Sequence, residues 1–408
     1  MSLNSFTALL SNRPFLRFWL ARLSSVTASQ MLMVAVAWHM YDITSSAWDL
    51  GLVGLFQFVP ALLLTLPAGH VADHFHRGKV FALSLFLQVL IAITLVVTTY
   101  MGLASRELIL GISVMLGIAR AFQMPAQQAL TPLLVPQNLL QRAVALSSSG
   151  MQAAIICGPA LGGILYTVGP TTVYGACAAL LLASMGLALV IRYNHTPVIL
   201  AATWHSVLAG FTFVWHRKVL LGATSLDLFA VLLGGATALL PIYARDILLI
   251  GPIGLGVLRA APAAGALLMS IAVLRWPMQR HVGHKLLAAV AVFGLATVVF
   301  GLSSNFYLSL IALVVTGAAD SISVVTRMTL VQLETPDEMR GRVSAVNSIF
   351  IGASNQLGEF ESGATAAAFG AVGSVVLGGV GTILIAGAWI KLFPALARRD
   401  HMETAIRR

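Results

Sequence analysis

Residues 117–163 read GIARAFQMPAQQALTPLLVPQNLLQRAVALSSSGMQAAIICGPALGG, and residues 317–363 read GAADSISVVTRMTLVQLETPDEMRGRVSAVNSIFIGASNQLGEFESG. Laid one over the other without a gap, they match at Gly117/Gly317, Ala119/Ala319, Leu130/Leu330, Leu133/Leu333, Pro136/Pro336, Arg142/Arg342, Ala145/Ala345, Ser148/Ser348, Ala153/Ala353, Gly158/Gly358 and Gly163/Gly363. Biased apolar composition does not easily produce a matched Pro and Arg in a polar link. The chain is therefore read as an internal repeat. A second register, shifted by 202, pairs Gly54 and Pro60 with Gly256 and Pro262 and extends the repeat.

The repeated segments are embedded in a very apolar chain. Of 408 residues, 58% are hydrophobic and 9% charged, against about 25% charged in a soluble domain. A membrane span takes roughly 20 apolar residues. Apolar runs fall at 18–41, 47–68, 80–100, 107–126, 143–166, 171–191, 219–243, 254–274, 286–302, 306–326, 343–366 and 372–393. The expectation is an all-α membrane protein of twelve spans, numbered 1–12 here, in two six-span halves. The halves are 1–192 and 219–393, joined by a linker at 193–218 and followed by a tail at 394–408. Two halves of equal topology are a transporter architecture with its path at their interface.

The net charge of +10 would suit nucleic acid, but no basic stripe interleaves with aromatics, and none is expected to bind. The odd-numbered links are poor in Lys and Arg. The even-numbered links and the termini hold Arg13, Arg17, Arg77, Lys79, Arg142, Arg192, Arg217, Lys218, Arg275, Arg280, Lys285, Arg327, Arg340, Arg342, Lys391, Arg398, Arg399, Arg407 and Arg408. By the positive-inside rule both termini are cytoplasmic. Arg13 and Arg17 precede a run long enough to span, so the first segment is expected to be a retained helix rather than a signal. Trp204, Val207, Leu208, Phe211, Phe213 and Trp215 in the linker suit a helix lying on the membrane surface. Cys157 and Cys177, both in apolar runs, read as packing residues.

The link after span 2, GHVADHFHRGKV from Gly69, resembles the signature loop of the major facilitator superfamily. Gly69, Asp73, Arg77 and Lys79 stand at its places, with His74 and His76 as departures. Gly69 is expected to let span 2 approach a neighbour closely. Asp73 can pair with a helix N-terminus and a nearby Arg; by the repeat, Arg142 and Arg342 begin spans 5 and 11. Together these read as a cytoplasmic gate. LGIARAFQ in span 4 is similar to the family's motif in which a buried Arg, here Arg120, helps to move a proton. In span 5, Gly158, Pro159, Gly162 and Gly163 of GPALGG resemble the antiporter motif. LDLFAVLLGGATALLPIYARD around Asp227, TPDEMRGRVSAVN from Thr335 and SNQLGEFESG from Ser354 resemble the branch of bacterial efflux proteins that contains the enterobactin exporter.

Charges deep in a bilayer cost about 2.5–3.5 kcal/mol each on insertion scales and ask for a reason. Inside the spans stand Arg22, Arg120, Asp227, Arg259, Asp320, Glu359 and Glu361, with His39 as a titratable neutral. A buried carboxylate balanced between desolvation and a nearby cation can take a proton near neutral pH. Asp227, Asp320, Glu359, Glu361 and Arg120 are therefore the candidate proton-coupling residues. Arg120 and Asp320 are equivalent in the repeat and could pair. Glu359 and Glu361 lie about 200° apart around one helix and cannot share a face. His39 reads as a hydrogen-bonded packing histidine.

The expectation is a secondary exporter of a small amphipathic molecule, a siderophore or drug-like compound, driven by proton-coupled alternating access. The alternatives are an importer or a lipid or metal carrier on the same fold. A membrane-embedded enzyme or sensor is a distant third, since no protease pair, HExxH helix or soluble output domain is present. No GxxxxGK[ST] loop occurs, which removes a self-contained ATP pump. No cofactor, catalytic residue or metal site is expected. The energy source is the proton gradient, the location is the bacterial inner membrane, and the protein is expected to be monomeric.

Overall fold

The computed structural model describes residues 9, 11–191, 204–276 and 280–401. The expectations for Arg192, Arg407, Arg408 and the first part of the linker lie outside the described residues. Spans 1–6 are Arg13–Thr44, Ala47–His74, Arg77–Tyr100, Arg106–Leu134, Gln137–Tyr166 and Pro170–Leu189. Span 7 begins as Lys218–Gly234, and spans 8, 9 and 10 are Gly251–Arg275, Val282–Leu302 and Phe306–Glu334. Spans 11 and 12 form one hydrogen-bonded element, Asp337–Leu392, interrupted at Gly370. Eleven of these helices are long and apolar enough to cross a membrane, and the break at Gly370 divides the last into two.

Several helices run further than their apolar stretches, and local backbone rules explain where they stop. Span 4 ends at Val135 (φ −131°, ψ 145°) and span 10 at Thr335 (φ −106°, ψ 122°). Each of these residues precedes a proline, Pro136 or Pro336, and pre-proline sterics force it out of the helical region. The next helix restarts at once, at Gln137 or Asp337. The links therefore hold two residues each, far fewer than hydropathy suggests. The other ends of spans 4 and 10 are also matched. The Ser105 side chain accepts a hydrogen bond from the Leu108 N–H, and Asn305 Oδ1 accepts from Tyr307 and Leu308, which satisfies otherwise orphaned donors.

Span 7 is discontinuous. Its α-helix stops at Gly234, and Gly235 adopts φ −75°, ψ 59°. The chain continues through the 3₁₀ turn Ala236–Leu239, a short helical turn Leu240–Ile242 and the π turn Tyr243–Ile247. At Gly370 the backbone reaches φ 76°, ψ 162°, a region essentially confined to glycine.

The chain forms two compact units. The first comprises residues 1–44, 56–202 and 252–260; the second comprises 45–55, 203–251 and 261–408. In the first unit, span 1 packs on spans 5 and 6, and span 3 on spans 4 and 6. The Ser184 hydroxyl donates to the Ala21 carbonyl at 2.6 Å. His39 Nδ1 lies 3.0 Å from the Tyr174 hydroxyl, both buried, as its reading as a packing histidine anticipates. In the second unit, spans 7, 9 and 12 are tied by Trp389 Nε1 to the Gly222 carbonyl (3.0 Å), the Tyr243 hydroxyl to the Gly301 carbonyl (2.8 Å) and the Thr382 hydroxyl to the Ala230 carbonyl. The same crossing recurs in both units. Gly117 of span 4 lies on the backbone of Gln57 in span 2, and Gly317 of span 10 lies on the backbone of Pro262 in span 8.

The linker contains the helix Trp204–His216. Val214 packs with Leu220, Val331, Val343 and Val346 of the second unit, while Leu208, Phe211 and Trp215 remain exposed. That leaves an apolar stripe, as a membrane-surface helix would need.

Candidate functional site

Each unit contains its own cavity, walled by the equivalent residue of the repeat. In the first unit a cavity of about 30 Å³ is lined by Arg120, Gln57, Gln88, Gln123, Ser29 and Met33 among others. Amides buried in a span must find partners, and these two bond to each other. Gln88 Nε2 donates to Gln123 Oε1 at 2.8 Å, and Gln123 Nε2 reaches Ser25 Oγ at 3.5 Å. The Ser29 hydroxyl lies 3.2 Å from Gln88 Oε1. Arg259 Nη2 contacts the Met33 sulfur. Deep in the spans of this unit the charged groups among the described residues are the cations Arg22, Arg120 and Arg259, beside the titratable His39.

The second unit carries the deep carboxylates Asp227, Asp320, Glu359 and Glu361. Its main cavity, about 180 Å³, is lined by Asp320, Asn355, Thr316 and Phe293, and by Gly235 and Thr237 at the break in span 7. Interrupted helices of this kind line binding cavities in transporters, because the freed backbone groups need a polar surrounding. A second cavity, of about 10 Å³, has Asp227, Asp320 and Ser323 in its wall.

Beside the smaller cavity lies a buried ion pair. Arg327 Nη2 is 3.0 Å from Asp227 Oδ2, with side-chain exposures of 1% and 6%. Arg327 Nη1 donates to Asn347 Oδ1 at 3.0 Å, while its Nε has no hydrogen-bond partner. Ser323 stands in the wall of the smaller cavity together with Asp227. Asp320 makes neither a hydrogen bond nor an ion pair among the described residues. Positions 320, 323 and 327 recur at helical spacing and share one face of span 10.

This arrangement corrects the reading of Arg327, which hydropathy assigns to a polar link. Because the helix stops only at the Thr335–Pro336 step, Arg327 lies two turns inside span 10, fully buried. Asp227 and Asp320 are brought to one small cavity. Glu359 and Glu361 line neither cavity of the second unit: Glu359 lies against Gly54 of span 2, and Glu361 is half-buried on span 11. Arg120 and Asp320 fall in different units, each at the wall of its own cavity.

A Cβ at Gly69 would meet no atom within 4 Å, so the expected close approach is not made there. The side chain of Asp73 lies outside the described residues. Arg77 is buried and donates to the carbonyls of Ala72 (3.2 Å) and Ala129 (3.4 Å), tying the end of span 2 to span 4. Lys79, Arg142 and Arg342 are exposed, and Arg342 Nη1 lies 3.5 Å from the Met339 sulfur. In the span 5 motif, Gly158 and Gly162 meet Gln30 and Met31 of span 1, Gly163 meets Gly256 of span 8, and Pro159 is buried.

Sequence reasoning missed Arg327, Asn347, the Gln88–Gln123 pair and the break in span 7. The pre-proline rule at Thr335 was the available signal for Arg327. The Gly234–Gly235 doublet was the available signal for the break.

Eleven apolar helices long enough to cross a membrane among the described residues, with a cavity in each unit, make the architecture of a membrane transporter of the major facilitator type. The chain matches the transmembrane secretion effector family over residues 4–407 and belongs to it. It is 27% identical over 386 residues to the enterobactin exporter EntS of Citrobacter koseri, covering 92% of this chain and 88% of the relative. It is 25% identical over 380 residues to EntS of Shigella boydii serotype 18, with the same coverage. The fold is similar to a point mutant of the nucleoside transporter NupG (TM-score 0.76, 12% identity, 93% of this chain and 100% of that one). It is also similar to a bacterial homologue of the lysosomal transporter Spinster (TM-score 0.74, 14% identity, 94% and 96%) and to a bacterial homologue of the iron transporter ferroportin (TM-score 0.70, 17% identity, 95% and 99%). The protein is thus a multi-pass inner-membrane transporter, not an enzyme.

Proposed function

We propose that this transporter exports a small amphipathic molecule, of siderophore or drug-like chemistry, in exchange for protons, with both termini cytoplasmic and a monomer as the working unit. The observation that carries the reading is Asp320: a carboxylate in the wall of a cavity inside the membrane, beside the Asp227–Arg327 pair. A lone carboxylate at such depth is costly unless it serves transport. The proton gradient supplies the energy, and no cofactor takes part. The cationic, amide-lined cavity around Arg120 supports an acidic, oxygen-rich cargo, in keeping with relatives that export enterobactin. Asp73, Arg77, Lys79, Arg142 and Arg342 serve as the cytoplasmic gate, and the span 5 glycines as a packing surface for its movement.

The test is substrate-triggered proton movement in proteoliposomes holding a pH-sensitive dye. Enterobactin and a cationic dye such as ethidium are added separately under an imposed proton gradient. Proton flux opposite to cargo flux supports exchange. Cargo entering with protons makes the protein an importer. Cargo equilibrating without any proton flux removes the coupling.

A further inference from the structure

Asp227 and Asp320 are not two independent carboxylates. They share the wall of a cavity of about 10 Å³ with Ser323, enough for one water molecule. Asp320 also opens to the larger cavity of about 180 Å³, which Asp227 does not line. The two acids therefore stand in series: cavity, Asp320, a bridging hydroxyl or water, then Asp227.

Arg327 closes the series at the far end. It holds Asp227 through Nη2 and is itself held by Asn347 through Nη1, while Nε is buried without a partner. A guanidinium with an unused donor can change partners without leaving its site. Residues 320 and 327 lie on one face of span 10 about 10 Å apart along the axis, so the alternative anion is on Arg327's own helix. The groups facing this region are few. Span 7 presents Asp227, span 11 presents Asn347 and Asn355, span 9 presents Phe293, Thr297 and Phe300, and span 8 presents Pro262. Among the described residues the charged members are Asp227, Asp320 and Arg327.

We infer that Asp320 and Asp227 form a two-step proton relay and that Arg327, fixed by Asn347, is the positioning residue that resets it. A proton from the larger cavity binds a carboxylate oxygen of Asp320. That O–H then breaks as the proton passes to the bridging water or Ser323 oxygen, which gives its own proton to Asp227. Asp227 becomes neutral and Arg327, still cationic, loses its anionic partner. Its guanidinium turns along span 10 towards Asp320, now anionic again. Asp227 then gives its proton to water when this end of the bundle opens to the cytoplasm, and Arg327 returns to the starting pair. The proton and the guanidinium charge move in opposite directions.

This relay rests on the proposed proton coupling but is tested without any cargo. Protein reconstituted in liposomes is followed by time-resolved infrared spectroscopy after a pH step, reading the carbonyl stretch of protonated carboxyls. Wild type should show two bands in sequence, the first lost in Asp320→Asn and the second in Asp227→Asn. In Asp320→Asn the Asp227 band should rise about a hundredfold more slowly, as when a positioned proton donor is removed. Arg327→Lys and Asn347→Ala should each displace the pH midpoint of the Asp227 band and slow its return to the anion. An Asp227 band that rises at the wild-type rate in Asp320→Asn overturns the relay. Should the Asn variants fail to fold, Asp320→Glu carries the test: the relay requires a changed rate for both bands, and a change confined to the first overturns it. Bands that behave as stated in a protein whose cargo moves without protons leave the relay standing and remove the exporter reading instead.

Discussion

Alanine at Gly317 should weaken the second unit by a definite amount. A Cβ there would overlap the Pro262 carbonyl and lie 2.5 Å from Pro262 Cα, against the 3.4 Å at which ordinary contact begins, so spans 8 and 10 would have to separate by more than 0.9 Å. The obstructing atoms are backbone, which cannot rotate aside as a side chain would. Forcing an extra carbon into a packed interior costs about 1–3 kcal/mol. Span 10 gains roughly 0.5–1 kcal/mol from replacing a helix-interior glycine, which offsets part of this. Gly186 of span 6 is the control, because it is exposed and a Cβ there meets nothing within 4 Å. Gly186→Ala should be neutral or slightly stabilising, and Gly317→Ala destabilising. The measurement is unfolding of the purified protein by increasing mole fraction of sodium dodecyl sulfate, followed by helical circular dichroism. Equal stability of the two variants would refute the close crossing, and with it the matched crossing at Gly117 that supports the repeat.

Three further outcomes follow from single contacts. Asp227→Leu or Arg327→Met alone should destabilise by about 3–5 kcal/mol, whereas the double variant should recover most of that loss; the same detergent titration measures all three. Arg399 Nη2 lies 2.7 Å from Glu334 Oε1 with side chains only 16% and 12% exposed, and the Gly283 N–H donates to the Arg399 carbonyl at 2.9 Å. Arg399→Ala should cost about 1.5–3 kcal/mol and speed amide exchange at 394–401, read by hydrogen–deuterium exchange mass spectrometry. Cys157 is exposed and Cys177 is buried with its thiol 3.6 Å from the Ala28 carbonyl. A membrane-permeant maleimide should therefore label Cys157 under conditions that leave Cys177 unmodified, as peptide mapping would reveal.

Much of the architecture could be read in advance because hydropathy reports the solvent of each segment directly. The twelve runs locate the spans, and the matched Pro136 and Pro336 reveal the repeat. Hydropathy does not report where a helix stops, since the ends of spans 4 and 10 leave lipid but remain helical until Val135 and Thr335. That difference concealed Arg327 and, with it, the ion partner of Asp227. Asp320 and Asp227 were both legible from their cost in lipid. Their convergence on one cavity depends on how span 7 packs against span 10, which one-dimensional periodicity does not encode. The same holds for residues 45–55 and 252–260, whose span numbers say nothing of the unit each joins.

Spans 11 and 12 reverse direction through one non-helical residue, Gly370. A hairpin this tight leaves no tether that would let the second span wait outside the bilayer while the first inserts. The bend is closed on itself: the Thr365 and Ser374 hydroxyls lie 2.6 Å apart across it, and the Ser374 hydroxyl donates to the Ser362 carbonyl at 3.1 Å. The turn also denies proteases and epitope tags a landing place, so topology mapping of this half has to rely on the longer links.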